Sequence, residues 1–192
     1  MSTLAWVAVA AAVGVLLLLA WYLSYSAARL DRLHAKVEGA LSALDAQVVR
    51  RAEATLELAN SGALDPATAL LLVGAASGSL ERVNEHTFAG DPLEGQHFAG
   101  REGVESELTE VIHAALPPEV AVDIEASSGP GAAALGRLRA AGLRVQLARR
   151  FHNDAVKEVQ RVRAKPVVRL FRLAGHAVLP QTVEFDDALI HG

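Results

Sequence analysis

Leu4 to Leu23 is an unbroken apolar run of twenty residues, free of charge and of proline. A helix over this stretch rises about 30 Å, the thickness of a bilayer's hydrocarbon core. Trp6 stands near one end and Trp21 and Tyr22 at the other, where amphipathic rings settle at headgroup level. A buried core helix of this length would carry polar residues on one face, and a cleaved signal peptide would carry Lys or Arg before a shorter run. The run therefore reads as an uncleaved membrane span. Only Met1, Ser2 and Thr3 precede it, while Arg29, Arg32 and Lys36 follow closely. The positive-inside rule then sets the N-terminus outside and the remainder in the cytoplasm. Ala10 and Gly14 form a small-x-x-x-small pair through which two spans can approach.

Beyond the span, Leu30, Leu33, Val37, Leu41, Leu44 and Val48 recur at three- and four-residue steps, one face of an amphipathic helix. This periodicity predicts a helix continuous with the span and reaching about Asn60, where Ser61-Gly62 ends it. Asp65-Pro66 reads as an N-cap and first turn for a second helix to about Asn84, with Gly74 and Gly78 either easing close packing or weakening it. Thr87 to Gly100 reads as a loop. Val104 to Ala115 predicts a third helix, Val120 to Ile124 a short extended piece, and Ser127 to Gly131 a loop, although 87–130 is the least patterned part of the chain. From Ala132 to about Lys165, Leu138, Val145, His152 and Val159 fall seven apart, interleaved with Ala141, Ala148, Ala155 and Val162. That is a coiled-coil-like seam with small residues in alternate layers.

The expected fold is all-α: a single transmembrane helix continuous with an elongated antiparallel helical bundle. The expected divisions are a short segment 1–3, the span 4–23, the bundle 24–173 with a helical turn or two after Pro166, and a tail 174–192 without firm pattern. The chain lacks cysteine, so disulfides, thiolate metal sites, iron–sulfur clusters and thiol catalysis are excluded. Between Glu53 and Glu125 fourteen acidic residues meet only Arg82 and Arg101, whereas between Arg137 and Arg172 eleven basic residues meet only Asp154 and Glu158. Two elements of opposite charge facing each other account for this, with a basic face toward lipid headgroups or an acidic partner as the alternative.

No phosphate loop, dinucleotide fingerprint, nucleophile elbow or helical zinc-protease spacing is present. His86 with Glu85, and His97 with Glu94, lie in or beside the 87–100 loop that carries Asp91 and could meet a metal or small molecule, giving a sensor as the rival to a non-catalytic protein. The basic stretch lacks the aromatic interleaving of a nucleic-acid surface. The densest polar cluster is Arg149-Arg150-Phe151-His152-Asn153-Asp154. On a helix Arg150 and Asp154 can pair, Phe151 can pack with Leu147 and Ala155, and His152 falls on the apolar seam as a register-fixing polar contact, with a ligand or proton-sensing role as the alternative.

Three features resemble the LemA family of bacterial membrane proteins: the span running into a long helix, Gln47-Val48-Val49-Arg50-Arg51-Ala52, and Ala148 to Val156. The family's paired arginines are followed by a segment with proline and asparagine, where this chain has Glu53 to Leu58. The Tyr-Pro and Lys-Ala-Asn segment before the last helix is not recognisable among Leu116 to Leu135. The resemblance thus covers both ends of the soluble part and leaves its middle unmatched. It implies an antiparallel bundle with the N-terminus outside and supplies no activity, catalytic residue or cofactor. The sequence expectation is a non-enzymatic interaction or scaffolding protein, bound to the bilayer, to other membrane or membrane-proximal proteins, or to a second copy. Arg50, Arg51, Arg149, Arg150, His152, Asn153 and Asp154 are the candidate interaction or register positions.

Overall fold

A computed structural model describes residues 3–87, 98, 100–175 and 177–190, with 4, 5 and 83–87 described by their backbone alone. These residues form six helices and no strand: α1 Thr3–Ala59, α2 Pro66–Thr87, α3 Glu102–Ala115, α4 Pro118–Ala126, α5 Pro130–Arg163 and α6 Pro166–Leu170.

One helix, α1, is long and apolar enough to cross a membrane. Its apolar window is bare of packing partners; Leu16, Leu17 and Leu18 are each more than 60% exposed. From Leu30 onward the same helix is buried along one stripe. Leu30, Leu33 and Val37 pack with Ala155, Val156, Val159, Val162 and Val168. Leu44 and Val48 pack with Val145, and Ala52, Leu58 and Ala59 with Leu135 and Leu138. Residue numbers rise along α1 as they fall along α5, so the two run antiparallel over about 50 Å. Helices α2, α3 and α4 complete the core at the far end.

The local signals act as the sequence predicts. Gly62 adopts φ +75° after α1, and the Asp65 carboxylate accepts hydrogen bonds from the Ala67 and Thr68 amides at 3.0 and 3.1 Å to start α2. The Thr68 hydrogen bonds hold the Asp65 carboxyl below its ordinary pKa. Gly74 and Gly78 face open space, and no described residue packs closely on them. Acidic and basic elements do meet, through Arg137 on Glu57 at 2.7 Å and Arg139 on Glu125.

One expectation needs correction. The segment expected to be extended at Val120–Ile124 is helical: α4 starts at Pro118, buries Ala121 and Ile124 at a three-residue step, and leaves Val122 55% exposed. Segment 177–190, within the stretch read as a tail without firm pattern, packs on the helices. It is non-helical, and Val183, Phe185 and Asp187 within it are buried.

Candidate functional site

The groove between α3 and α5 holds this segment, and both walls contact it mostly through main-chain atoms. From α5, Arg163 donates to the Val178 carbonyl and Gln160 to the Pro180 carbonyl, each at 2.9 Å. Asn153 makes a paired contact with Val183: its Nδ2 donates to the carbonyl and its Oδ1 accepts from the amide, both at 2.9 Å. This reproduces the bond pair that a neighbouring β-strand would offer. From α3, Glu102 accepts from the Glu184 amide at 2.8 Å, Ser106 from the Asp186 amide at 3.0 Å, and Thr109 Oγ1 lies 2.6 Å from the Asp186 carbonyl. His113 meets the Ala188 carbonyl at 3.1 Å. The segment therefore runs antiparallel to α5 and parallel to α3.

Side-chain recognition is concentrated at Phe185 and Asp187. Phe185 stacks on Phe98, centroids 5.8 Å apart and planes 11° from parallel. The guanidinium carbons of Arg51 and Arg149 lie 5.8 and 5.6 Å from its centroid, an arrangement that draws on the ring quadrupole as well as on burial. Arg149 grips Asp187 bidentately at 2.7 and 2.9 Å and reaches Glu184 at 3.0 Å. These carboxylates hold the Arg149 guanidinium above its ordinary pKa, with the Asp187 hydrogen bonds first among the causes.

Beneath the groove lies a buried ionic network. Glu105, fully buried on α3, accepts from Arg51 at 2.8 Å and from the Ser79 hydroxyl at 2.7 Å. Arg51 also donates to Thr109 at 2.9 Å and to the Glu105 carbonyl at 3.0 Å. Arg101, 2% exposed, pairs with Asp45 at 2.6 Å, lies 3.8 Å from Glu105 and covers the Phe98 ring at 4.6 Å. The network ties α1, α2 and α3 to the floor of the groove and supplies the compensation that a buried carboxylate requires.

Of the residues singled out by sequence, Arg51, Arg149, His152 and Asn153 converge here, whereas Arg50, Arg150 and Asp154 are exposed. The expected Arg150–Asp154 pair is not formed among the described residues. Phe151 is 66% exposed rather than packed, although it stands one turn from the buried Ala155. The His152 ring faces the main chain of Gln181 and Val37; burial lowers its pKa, and Nδ1 has no partner among the described residues. His152 thus touches both α1 and the extended segment instead of another helix alone. Asp91, Glu94 and His97 lie outside the described residues, as do the Glu85 and His86 side chains. Among the described residues no group of three His, Asp or Glu could hold a metal.

Sequence reasoning missed Glu105, Thr109, Phe185 and Asp187. Glu105 lies three and four residues before Leu108 and Thr109, on the buried stripe of α3, and Val183, Phe185 and Asp187 alternate as one face of a strand does. No protein-family model, curated protein or solved structure matches this chain.

Proposed function

We propose that this chain is a non-enzymatic, membrane-anchored interaction or scaffolding protein, a divergent relative of the LemA family. In this reading α1 spans the bilayer with its N-terminus outside, and an elongated antiparallel bundle stands on the cytoplasmic side as a rigid continuation of the span. The bare apolar length of α1 and the Arg29, Arg32 and Lys36 flank support the anchor and its direction.

The observation that carries the interaction reading is the Asn153–Val183 pair and the row of main-chain contacts around it. Glu102, Ser106, Thr109 and His113 of α3 and Asn153, Gln160 and Arg163 of α5 are committed to holding a peptide strand. Contacts to main chain give affinity for any extended segment, while the Phe185 and Asp187 subsites give selectivity, the division of labour seen when domains bind peptides as added strands. A partner, or a second copy exchanging segment 177–190, would present an aromatic residue followed two positions later by an acid.

Cross-linking in native membranes followed by mass spectrometry tests this. The expected result is cross-links from α3 and α5 to other membrane or membrane-proximal proteins, or between copies. A chain recovered alone and monomeric would refute the scaffold.

A further inference from the structure

We propose that the turn following α6 is a second membrane contact, in which Leu170 and Phe171 enter the bilayer interface and Lys165, Arg169 and Arg172 bind anionic lipid headgroups. The proposal rests on the reading of α1 as a span. Val168 of α6, with Leu173 and Ala174 beyond it, packs in the cluster that contains Leu30 and Leu33. Leu30 is only about 10 Å along α1 from Leu23, the end of the apolar run, and the headgroup zone extends about 5–8 Å past the hydrocarbon. The α6 turn is therefore held at the bilayer end of the soluble part.

Its surface is what an interfacial contact requires. Leu170 is 77% exposed, more than any other large apolar side chain among the described residues, and Phe171 beside it is 44% exposed. On α5, Arg137 pairs with Glu57, Arg139 with Glu125 and Arg149 with Asp187, while Arg144, Arg150, Lys157 and Arg161 make no ion pair among the described residues. Lys165, Arg169 and Arg172 are exposed and make no ion pair among the described residues. Exposed apolar side chains rimmed by unpaired cations are the composition that binds an anionic leaflet.

Backbone geometry adds a separate observation. The Leu173 amide bonds the Val168 carbonyl at 3.0 Å and the Arg172 amide bonds that of Arg169 at 3.3 Å, the pattern of a Schellman end. Its left-handed position, normally glycine, is Arg172 at φ +49°. An arginine thus stands at a strained backbone position, next in sequence to Phe171.

The absence of cysteine makes the test direct. Leu170→Cys and, as a distal exposed control, Leu70→Cys are labelled with an environment-sensitive fluorophore in the full chain. Each is reconstituted in phosphatidylcholine vesicles with and without phosphatidylglycerol, with quenchers on shallow lipid positions. The label at 170 should be quenched, more so with phosphatidylglycerol, and the label at 70 should not. Each cation near an anionic surface is worth about fivefold in affinity, so adding Arg169→Gln and Arg172→Gln should weaken docking about 25-fold. If the chain resists alkaline extraction but the label at 170 stays unquenched in both vesicles, the contact is refuted while the anchor stands, and the basic turn is left to an acidic protein. If the chain is extracted, anchor and contact fall together. Equal quenching in neutral and anionic vesicles would refute the role of the cations.

Discussion

Replacing Asn153 with alanine should detach segment 177–190 without unfolding the helices. Val183 is 4% exposed, and both of its main-chain groups depend on this one side chain. If the segment stayed docked, two buried unpaired groups would cost about 1–3 kcal/mol each, or roughly 2–6 kcal/mol together. Ordering the segment already costs about 1–2 kcal/mol per residue, so its docking is a narrow balance that such a loss tips toward release. Release returns both groups to water, and the observed cost is then capped at the docking free energy. Hydrogen exchange read by mass spectrometry distinguishes this from general unfolding. In the parent chain the Val183, Glu184 and Asp186 amides are bonded to Asn153, Glu102 and Ser106 and should exchange slowly. In Asn153→Ala they should exchange at the rate of free chain, while α1 from Leu30 onward and α5 keep their protection. Asn153→Asp should release the segment at least as strongly, since it sets a carboxylate oxygen against the Val183 carbonyl and the Glu184 carboxylate. Unchanged protection in 178–188, or an equal loss along the entire chain, would refute the reasoning.

Removing Arg51 or Glu105 alone, as Arg51→Ala or Glu105→Gln, should cost about 3–5 kcal/mol by leaving the other buried group without its counter-charge, measured by denaturant unfolding of the detergent-solubilised chain. Burial depresses the His152 pKa below 6.5, so the unfolded chain takes up more protons than the folded one as pH falls. The stability from a neutral His152 is present above 6.5 and is lost as pH falls through the lowered folded value. Thermal midpoints should drop over that range in the parent and stay flatter in His152→Gln, and parallel curves would rule this out. Gly131→Ala should destabilise by about 1–3 kcal/mol, because its Cβ would stand 2.4 Å from that of Ala63, whereas Gly136→Ala faces open space and should stabilise by about 0.5–1 kcal/mol. Titration with divalent cations under a thermal-shift readout should leave the midpoint unmoved. A saturable rise abolished by His86→Ala and His97→Ala would favour the sensor instead.

The helices were legible wherever burial follows a single stripe. The three- and four-residue steps of α1 and the sevenfold seam of α5 translate directly into the buried faces that pack on each other. At α4 the same logic misled, since Val120, Val122 and Ile124 alternate like a strand. The proline pair before them was the better guide, because Pro118 occupies the first turn of a helix, where its missing amide costs nothing. Segment 177–190 was illegible for a different reason. Its buried face is three residues long and ends in Asp187, an acid that is buried only because Arg149 arrives from another helix. A one-dimensional hydrophobic pattern cannot register an apolar position created by a distant counter-charge. Glu105 is the same case on α3: four acids crowd that helix, and only its place on the stripe with Leu108 and Ile112 sets it apart.

The two arginine pairs show how sequence and structure connect at this site. Successive residues on a helix are turned by about 100°, so two adjacent arginines cannot both enter one groove. Each pair divides: Arg51 and Arg149 turn inward while Arg50 and Arg150 face solvent. The inward members, ninety-eight positions apart in sequence, lie almost equally distant from the ring of Phe185. Each is neutralised on its other side, Arg51 by Glu105 below and Arg149 by Asp187 above. The ring therefore sits between two cations whose charge is already balanced. An occupant lacking the acid two positions beyond the aromatic would leave Arg149 short of its bidentate partner in a partly buried place. A basic residue there would add repulsion to that loss. In the proposed role as a peptide groove, selectivity would come from Arg149, and admission from Asn153, which reads only the main chain that every extended peptide carries.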